Sequence, residues 1–151
     1  MYLTTHSAVG IAIATKTINP FFAFILAFIA HYILDMIPHG DEEIFEKDIS
    51  AAKRYKKIIS IVIFDLIITG IYAFMIMTKT NINPVIIFAA ILGSILPDIL
   101  WGIYDVRKIK ILKPFVKFHN FFHNPAKKNI PFKMGIAMQI ALVVIIYILI
   151  I

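Results

Sequence analysis

The residues able to do chemistry in this chain are five histidines, His6, His31, His39, His119 and His123, and three aspartates set in apolar sequence, Asp35, Asp65 and Asp98. His31 and Asp35 stand four apart, as do His119 and His123, so on helices each pair projects from one face. Imidazole combined with carboxylate is a donor set for zinc, manganese or iron. Cysteine is absent, which removes thiolate ligands, a cysteine nucleophile and disulfides from consideration. The metal-ligand candidates are His6, His31, Asp35, Asp98, His119 and His123. They outnumber the four ligands of a closed structural site, which leaves room for one or two ions, zinc foremost. Such a cation lowers the pKa of its bound water toward ~7 and supplies hydroxide at neutral pH. Asp35, Asp98 and His39 are the candidates for catalysis, with a spare carboxylate taking the proton of the water and a histidine protonating the leaving group.

Each residue has a plainer reading when taken singly. A histidine near a helix end is more often a satisfied polar residue than a ligand, and Asp65 alone is as well explained as a hydrogen-bond acceptor. The pair His119 and His123 lacks the glutamate of a helical H-E-x-x-H zinc site, because position 120 is Asn. The acidic run Asp41, Glu42, Glu43, Glu46 and Asp48 reads as a solvated face. The case for metal rests on convergence, which depends on the elements that carry these residues.

Those elements are membrane helices. The chain has 151 residues, 60% apolar and 16% charged, with a mean hydropathy of +0.87. Soluble domains carry about a quarter charged residues, so lipid is the indicated solvent. Apolar stretches near the ~20 residues of a crossing run over 20–37, 58–77, 84–104 and 132–151, three of them with proline close to the first turn. A shorter stretch over 3–16 suits a tilted crossing or a re-entrant helix. The polar segment over 105–131 includes an interfacial helix around 114–124. The predicted fold is all-α: a compact bundle of five transmembrane helices, the first short, plus one interfacial helix, in a single domain. The N-terminus has no basic region or cleavage site of a secretory signal.

Five crossings place the N-terminus and both long loops on one side. That side carries Lys47, Lys53, Arg54, Lys56, Lys57, Arg107, Lys108, Lys110, Lys113, Lys117, Lys127, Lys128 and Lys133, against Lys16 and Lys79 on the other. The asymmetry makes the rich side cytoplasmic. All five histidines fall on or near it, and Asp35 and Asp98 lie near the cytoplasmic ends of their helices. Asp65 follows roughly eight residues after its helix enters, or about 12 Å in. Every span except the last thus brings a polar group to one membrane level. A carboxylate in hydrocarbon costs several kcal/mol unless paired, neutralised or bound to a cation, and the histidines are the available partners. The net charge of +6 belongs to juxtamembrane residues facing anionic headgroups, not to a nucleic-acid site.

The segments Thr5-His6-Ser7-Ala8-Val9-Gly10, His31-Tyr32-Ile33-Leu34-Asp35-Met36-Ile37-Pro38-His39 and Leu96-Pro97-Asp98, followed by paired histidines, form a pattern. It resembles the YdjM-like family of bacterial and archaeal inner-membrane proteins, described as metal-dependent hydrolases and as LexA-binding. The resemblance spans His6 to His123 and implies a polytopic helical protein binding metal through His6, Asp98, His119 and His123 for hydrolysis of a phospholipid-like ester. Two departures stand out. Ile99-Leu100-Trp101 replaces an Asp-His pair, and Phe118-His119-Asn120-Phe121-Phe122-His123-Asn124 replaces the His-Arg-Gly…Thr-His-Ser segment.

The leading expectation is therefore a membrane-embedded hydrolase acting on an anionic lipid or lipid-phosphate ester at the cytoplasmic face of the inner membrane. A metal-ion or proton transporter is the main rival, since buried Asp and His also build ion pathways. A transporter needs polar groups through the full depth, whereas Pro20 to Phe28 and Met138 to Ile151 are almost wholly apolar. A third reading is a non-catalytic metal-binding structural protein, whose small residues Gly93 and Ser94 suit close helix packing. The sequence leaves the oligomeric state open.

Overall fold

Asparagine followed by proline starts two of the helices, for a local reason. Asn19 accepts hydrogen bonds from the Phe21 and Phe22 amides (2.8 and 3.4 Å), and Asn83 accepts one from the Val85 amide (2.9 Å). Pro20 and Pro84 occupy the first turn, where the missing N–H has no intrahelical acceptor to lose. The computed structural model describes residues 1–40, 51–123 and 130–151. The acidic run from Asp41 to Asp48, with Lys47, Lys127 and Lys128, lies outside the described residues. Among the described residues six α-helices follow one another: α1 (Leu3–Ala14), α2 (Pro20–Asp35), α3 (Ala51–Lys79), α4 (Pro84–Arg107), α5 (Lys113–Phe122) and α6 (Phe132–Ile150), with a 3-10 turn, Lys110–Leu112, before α5. No strand occurs among the described residues.

Among the described residues three stretches are long and apolar enough to cross a membrane: Tyr55–Lys79, Pro84–Arg107 and Phe132–Ile150. With 12 and 16 residues, α1 and α2 are shorter, about 18 and 24 Å at helical rise. The third helix begins at Ala51, earlier than the apolar run at 58 suggests. Lysine is a good helix former, so the change in polarity after Lys57 marks the edge of the apolar face and not the end of the helix.

The shortest of these apolar helices is the central one. Nine of the 12 residues of α1 are buried, and it packs against α2, α3, α4 and α6. Small residues make this approach possible: a Cβ on Gly10 would lie 2.9 Å from the Ala90 carbonyl of α4. Toward its C-terminal end α1 enters a core of Ala8, Ile11 and Ala14 with Ala23, Ile76, Ile87 and Ala90. Outward faces carry large apolar side chains, among them Phe64, Ile67 and Ile71 on α3 and Ile145 and Ile148 on α6.

A buried helix start exposes amides that water cannot reach, and its neighbours satisfy them here. Asp65 of α3 accepts from the Leu3 and Thr4 amides and from the Thr4 hydroxyl, which also lies 3.1 Å from the Thr69 hydroxyl. Gln139 of α6 accepts from the Tyr2 amide at 2.8 Å and the Thr5 hydroxyl at 3.3 Å. The carboxylate also complements the positive end of the helix dipole. Replacing Asp65 with Ala leaves two buried amides unpaired, and we expect it to destabilise the fold by about 1–3 kcal/mol per orphaned group. The midpoint of thermal or denaturant unfolding in detergent measures this, with Asp105→Ala, at an exposed ion pair, as the control.

Candidate metal centre

Two features of α2 and α4 set up the site. His31 and Asp35 occupy one face of the last turn of α2, both buried. Asp98 follows Pro97, which lies inside α4 and removes one intrahelical hydrogen bond. One residue past Gly93, the carbonyl of Ser94 accepts the Nδ1–H of His31 at 2.7 Å. This bond fixes the tautomer and turns Nε2 of His31 toward the carboxylates. His39 is held in the same way, its Nδ1–H donating to the Ile37 carbonyl at 2.8 Å. An imidazole anchored through one nitrogen with the other presented to carboxylates is the usual outer support of a metal ligand.

His31, Asp35, Asp98 and His119 converge so that one donor atom from each lies within 4.8 Å of all the others. His31 Nε2 is 3.1 Å from Asp35 Oδ2 and 3.8 Å from Asp98 Oδ1, and His119 Nε2 is 3.7 and 3.8 Å from the same two oxygens. Metal bonds of 2.0–2.2 Å in a tetrahedron set ligand atoms about 3.3–3.6 Å apart. The three spacings of 3.7 and 3.8 Å are too long for hydrogen bonds and close to that range, while the 3.1 Å His31–Asp35 pair is within hydrogen-bond length. His31 Nε2 and Asp35 Oδ2 are buried and make no hydrogen bond. A bound cation would satisfy both.

His6 approaches from α1 on the other side of the carboxylates. Its Nε2 is 3.2 Å from Asp35 Oδ1 and 3.9 Å from Asp98 Oδ2, and its ring stacks on His31 at 4.1 Å. It touches the cluster but stands outside the four-membered set. Asp35, His39 and His123 form a second group. The Met1 amine lies beside it, 2.8 Å from His39 Nε2 and 3.3 Å from Asp35 Oδ1. The two histidines of the paired segment therefore divide between the groups, and Asp35 belongs to both. The two rings still share a face, stacked at 5.6 Å with the His123 amide bonded to the His119 carbonyl, but the site is long enough that His119 meets Asp98 while His123 packs on His39 at 4.8 Å. Burial pushes the His119 imidazole down to about 4, which leaves it neutral at pH 7 with a lone pair to donate.

Asp65 stands apart from both groups and serves as the cap of α1. The expectation that the last helix contributes no polar group needs correction. Gln139 of α6 is buried, and its Nε2–H donates to the His39 carbonyl at 3.3 Å. Gly135, one turn earlier, lies against the same carbonyl, where a Cβ would collide. The signal was present, since a single amide in an otherwise apolar span requires a partner. Comparison with known protein families, curated proteins and solved structures found nothing that matches this chain.

Proposed function

We propose that the chain is a membrane-embedded, metal-dependent hydrolase that cleaves a lipid or lipid-phosphate ester at the cytoplasmic face of the inner membrane. The observation that carries this reading is the convergence of His31, Asp35, Asp98 and His119 at ligand spacing. In the proposed topology α1 and α2 join the three longer helices as short crossings, and the lysine-rich end faces the cytoplasm. The site then sits just inside the membrane, within reach of anionic headgroups drawn by Lys53, Lys56 and Arg107. The likeness to the YdjM-like family supports the reaction class and nothing finer.

A divalent cation, zinc foremost and manganese or iron next, would supply Lewis acidity and an acidified water at this site. The protein's own groups divide the remaining work by exposure. Asp35, at 1% side-chain exposure, is the shared ligand, whereas Asp98, at 23%, reaches the cavity beside the site and is placed to accept the proton of an attacking water. His39, anchored through Ile37 with Nε2 2.8 Å from the Met1 amine, would pass a proton from that amine toward the leaving oxygen. A transport role is disfavoured by the packing beneath the cluster, where Ala8, Ile11, Ile87 and Ala90 close the bundle with apolar side chains.

The test is hydrolysis of phosphatidic acid and phosphatidylglycerol by purified protein with zinc, manganese or iron(II) added after chelation. The expected result is metal-dependent turnover, abolished in Asp98→Ala. Metal-dependent flux across proteoliposomes with no turnover would favour the transporter instead.

A further inference from the structure

Beside the cluster lies a cavity of about 400 Å³ that the metal ligands do not fill. Ile58, Ile61 and Val62 on α3 form one wall, Trp101 and Gly102 on α4 the other, and Asp98 and His119 line its inner end. The spacing explains the shape. Ile58, Ile61, Val62 and Asp65 recur at helical period along one stripe of α3, and Asp98 and Gly102 share a face of α4 one turn apart. α3 packs chiefly on α1, so the two walls stand apart here. They are bridged toward the lysine-rich end, where the Tyr55 hydroxyl donates to the Asp105 carbonyl at 3.3 Å. At the other limit, Asp65 ties α3 to the start of α1. Between these two ties the groove opens sideways, next to the lipid-facing residues Ile59, Ile63 and Phe64.

We propose that this groove admits the acyl chain of a membrane lipid laterally from the bilayer and presents its anionic phosphoryl head to the His/Asp cluster. The inference rests on the metal-site reading for the head and on the groove alone for the chain. Three observations favour a lipid over a water-soluble ester. The walls formed by Ile58, Ile61, Val62, Trp101 and Gly102 are apolar, with Asp98, His119, Asn120 and His123 as polar lining, and they adjoin the apolar outer face of α3. Exposed cations, Lys53 and Lys56 on α3 and Arg107 on α4, flank the Tyr55–Asp105 tie and would draw anionic lipids to this side of the bundle. The volume is near the lower end for small-molecule sites, which suits one chain and not two.

Gly102 makes the proposal testable, because a Cβ there meets nothing within 4 Å. Gly102→Leu narrows the groove from a position where the Cβ itself has open space. The experiment reconstitutes the full chain in phosphatidylcholine vesicles containing phosphatidic acid with a diazirine in its acyl chain. Adducts are mapped by mass spectrometry after photolysis, with bound metal measured in parallel. The expected result is labelling of Ile58 to Val62 and of Trp101. Gly102→Leu should lower this by about tenfold, the discrimination typical of a few blocked methylene contacts, while labelling of Phe64 and Ile67 and the metal content stay unchanged. Groove labelling that is absent, or unaffected by Gly102→Leu, overturns the proposal. Groove labelling that responds to Gly102→Leu in a protein holding no metal sustains the groove and removes the hydrolase reading. Bound metal without groove labelling does the reverse.

Discussion

Asp35→Asn is expected to abolish metal binding at both histidine groups while leaving the helices assembled. Asp35 is the residue the two groups share, and its carboxylate lies between His31, His6 and His119 at 3.1 to 3.7 Å. Asparagine keeps the volume but loses the negative charge, and its amide nitrogen has no lone pair to offer a cation. Loss of an outer-shell partner costs 10–100-fold in metal affinity, so loss of a shared anionic ligand should exceed about 100-fold. Zinc titration of the purified variant, with unfolding followed in parallel, measures both effects. Asp105→Asn is the matched control, since that carboxylate pairs with exposed Lys108 at 2.8 Å and touches neither group. Equal metal affinity in Asp35→Asn and the parent chain would place any bound metal elsewhere.

Gly93→Leu is expected to prevent α2 and α4 from closing. A Cβ at Gly93 would run into the backbone carbonyl of Phe24, and main chain inside a helix cannot step aside as a flexible side chain does. Overpacking a core ordinarily costs about 1–3 kcal/mol, and a backbone collision belongs at or above the top of that range. The damage should extend beyond stability. α2 carries His31 and Asp35 and α4 carries Asp98, so parting the helices lengthens every ligand pair between them. The same substitution at Gly102, on the same helix but facing open space, should cost little. Unfolding midpoints of the two variants, read together with zinc affinity, separate a specific close approach from a general intolerance of leucine in α4.

Much of the fold was legible because lipid imposes strong rules. Asn19-Pro20 and Asn83-Pro84 announce helix starts by capping chemistry, and long apolar runs announce the three helices able to cross. The grouping of histidines with Asp35 and Asp98 was legible for a related reason, since carboxylates in apolar sequence demand partners. Less accessible was the part decided by tertiary packing. Nothing local in Leu3–Ala14 says that it becomes the hub of the bundle; that follows from Gly10 meeting Ala90 and from Asp65 and Gln139 satisfying its first amides. Asp65 and Asp98 look alike in sequence, each an aspartate in an apolar helix, yet one caps α1 and the other joins the histidine cluster. The division of His119 from His123 was hidden too: the i, i+4 spacing gives their shared face, with rings stacked at 5.6 Å, but not that Asp98 meets one and His39 the other.

In the proposed site His31, Asp35, Asp98 and His119 hold a divalent cation. X-ray absorption at the metal edge, on protein purified without chelators and supplied with zinc, tests it most directly. The expected result is stoichiometric zinc with nitrogen and oxygen neighbours at about 2.0–2.2 Å, an imidazole contribution to the outer scattering, and loss of this signal in Asp35→Asn. Protein that takes up no zinc, manganese or iron, or a metal signal that survives Asp35→Asn intact, would contradict it.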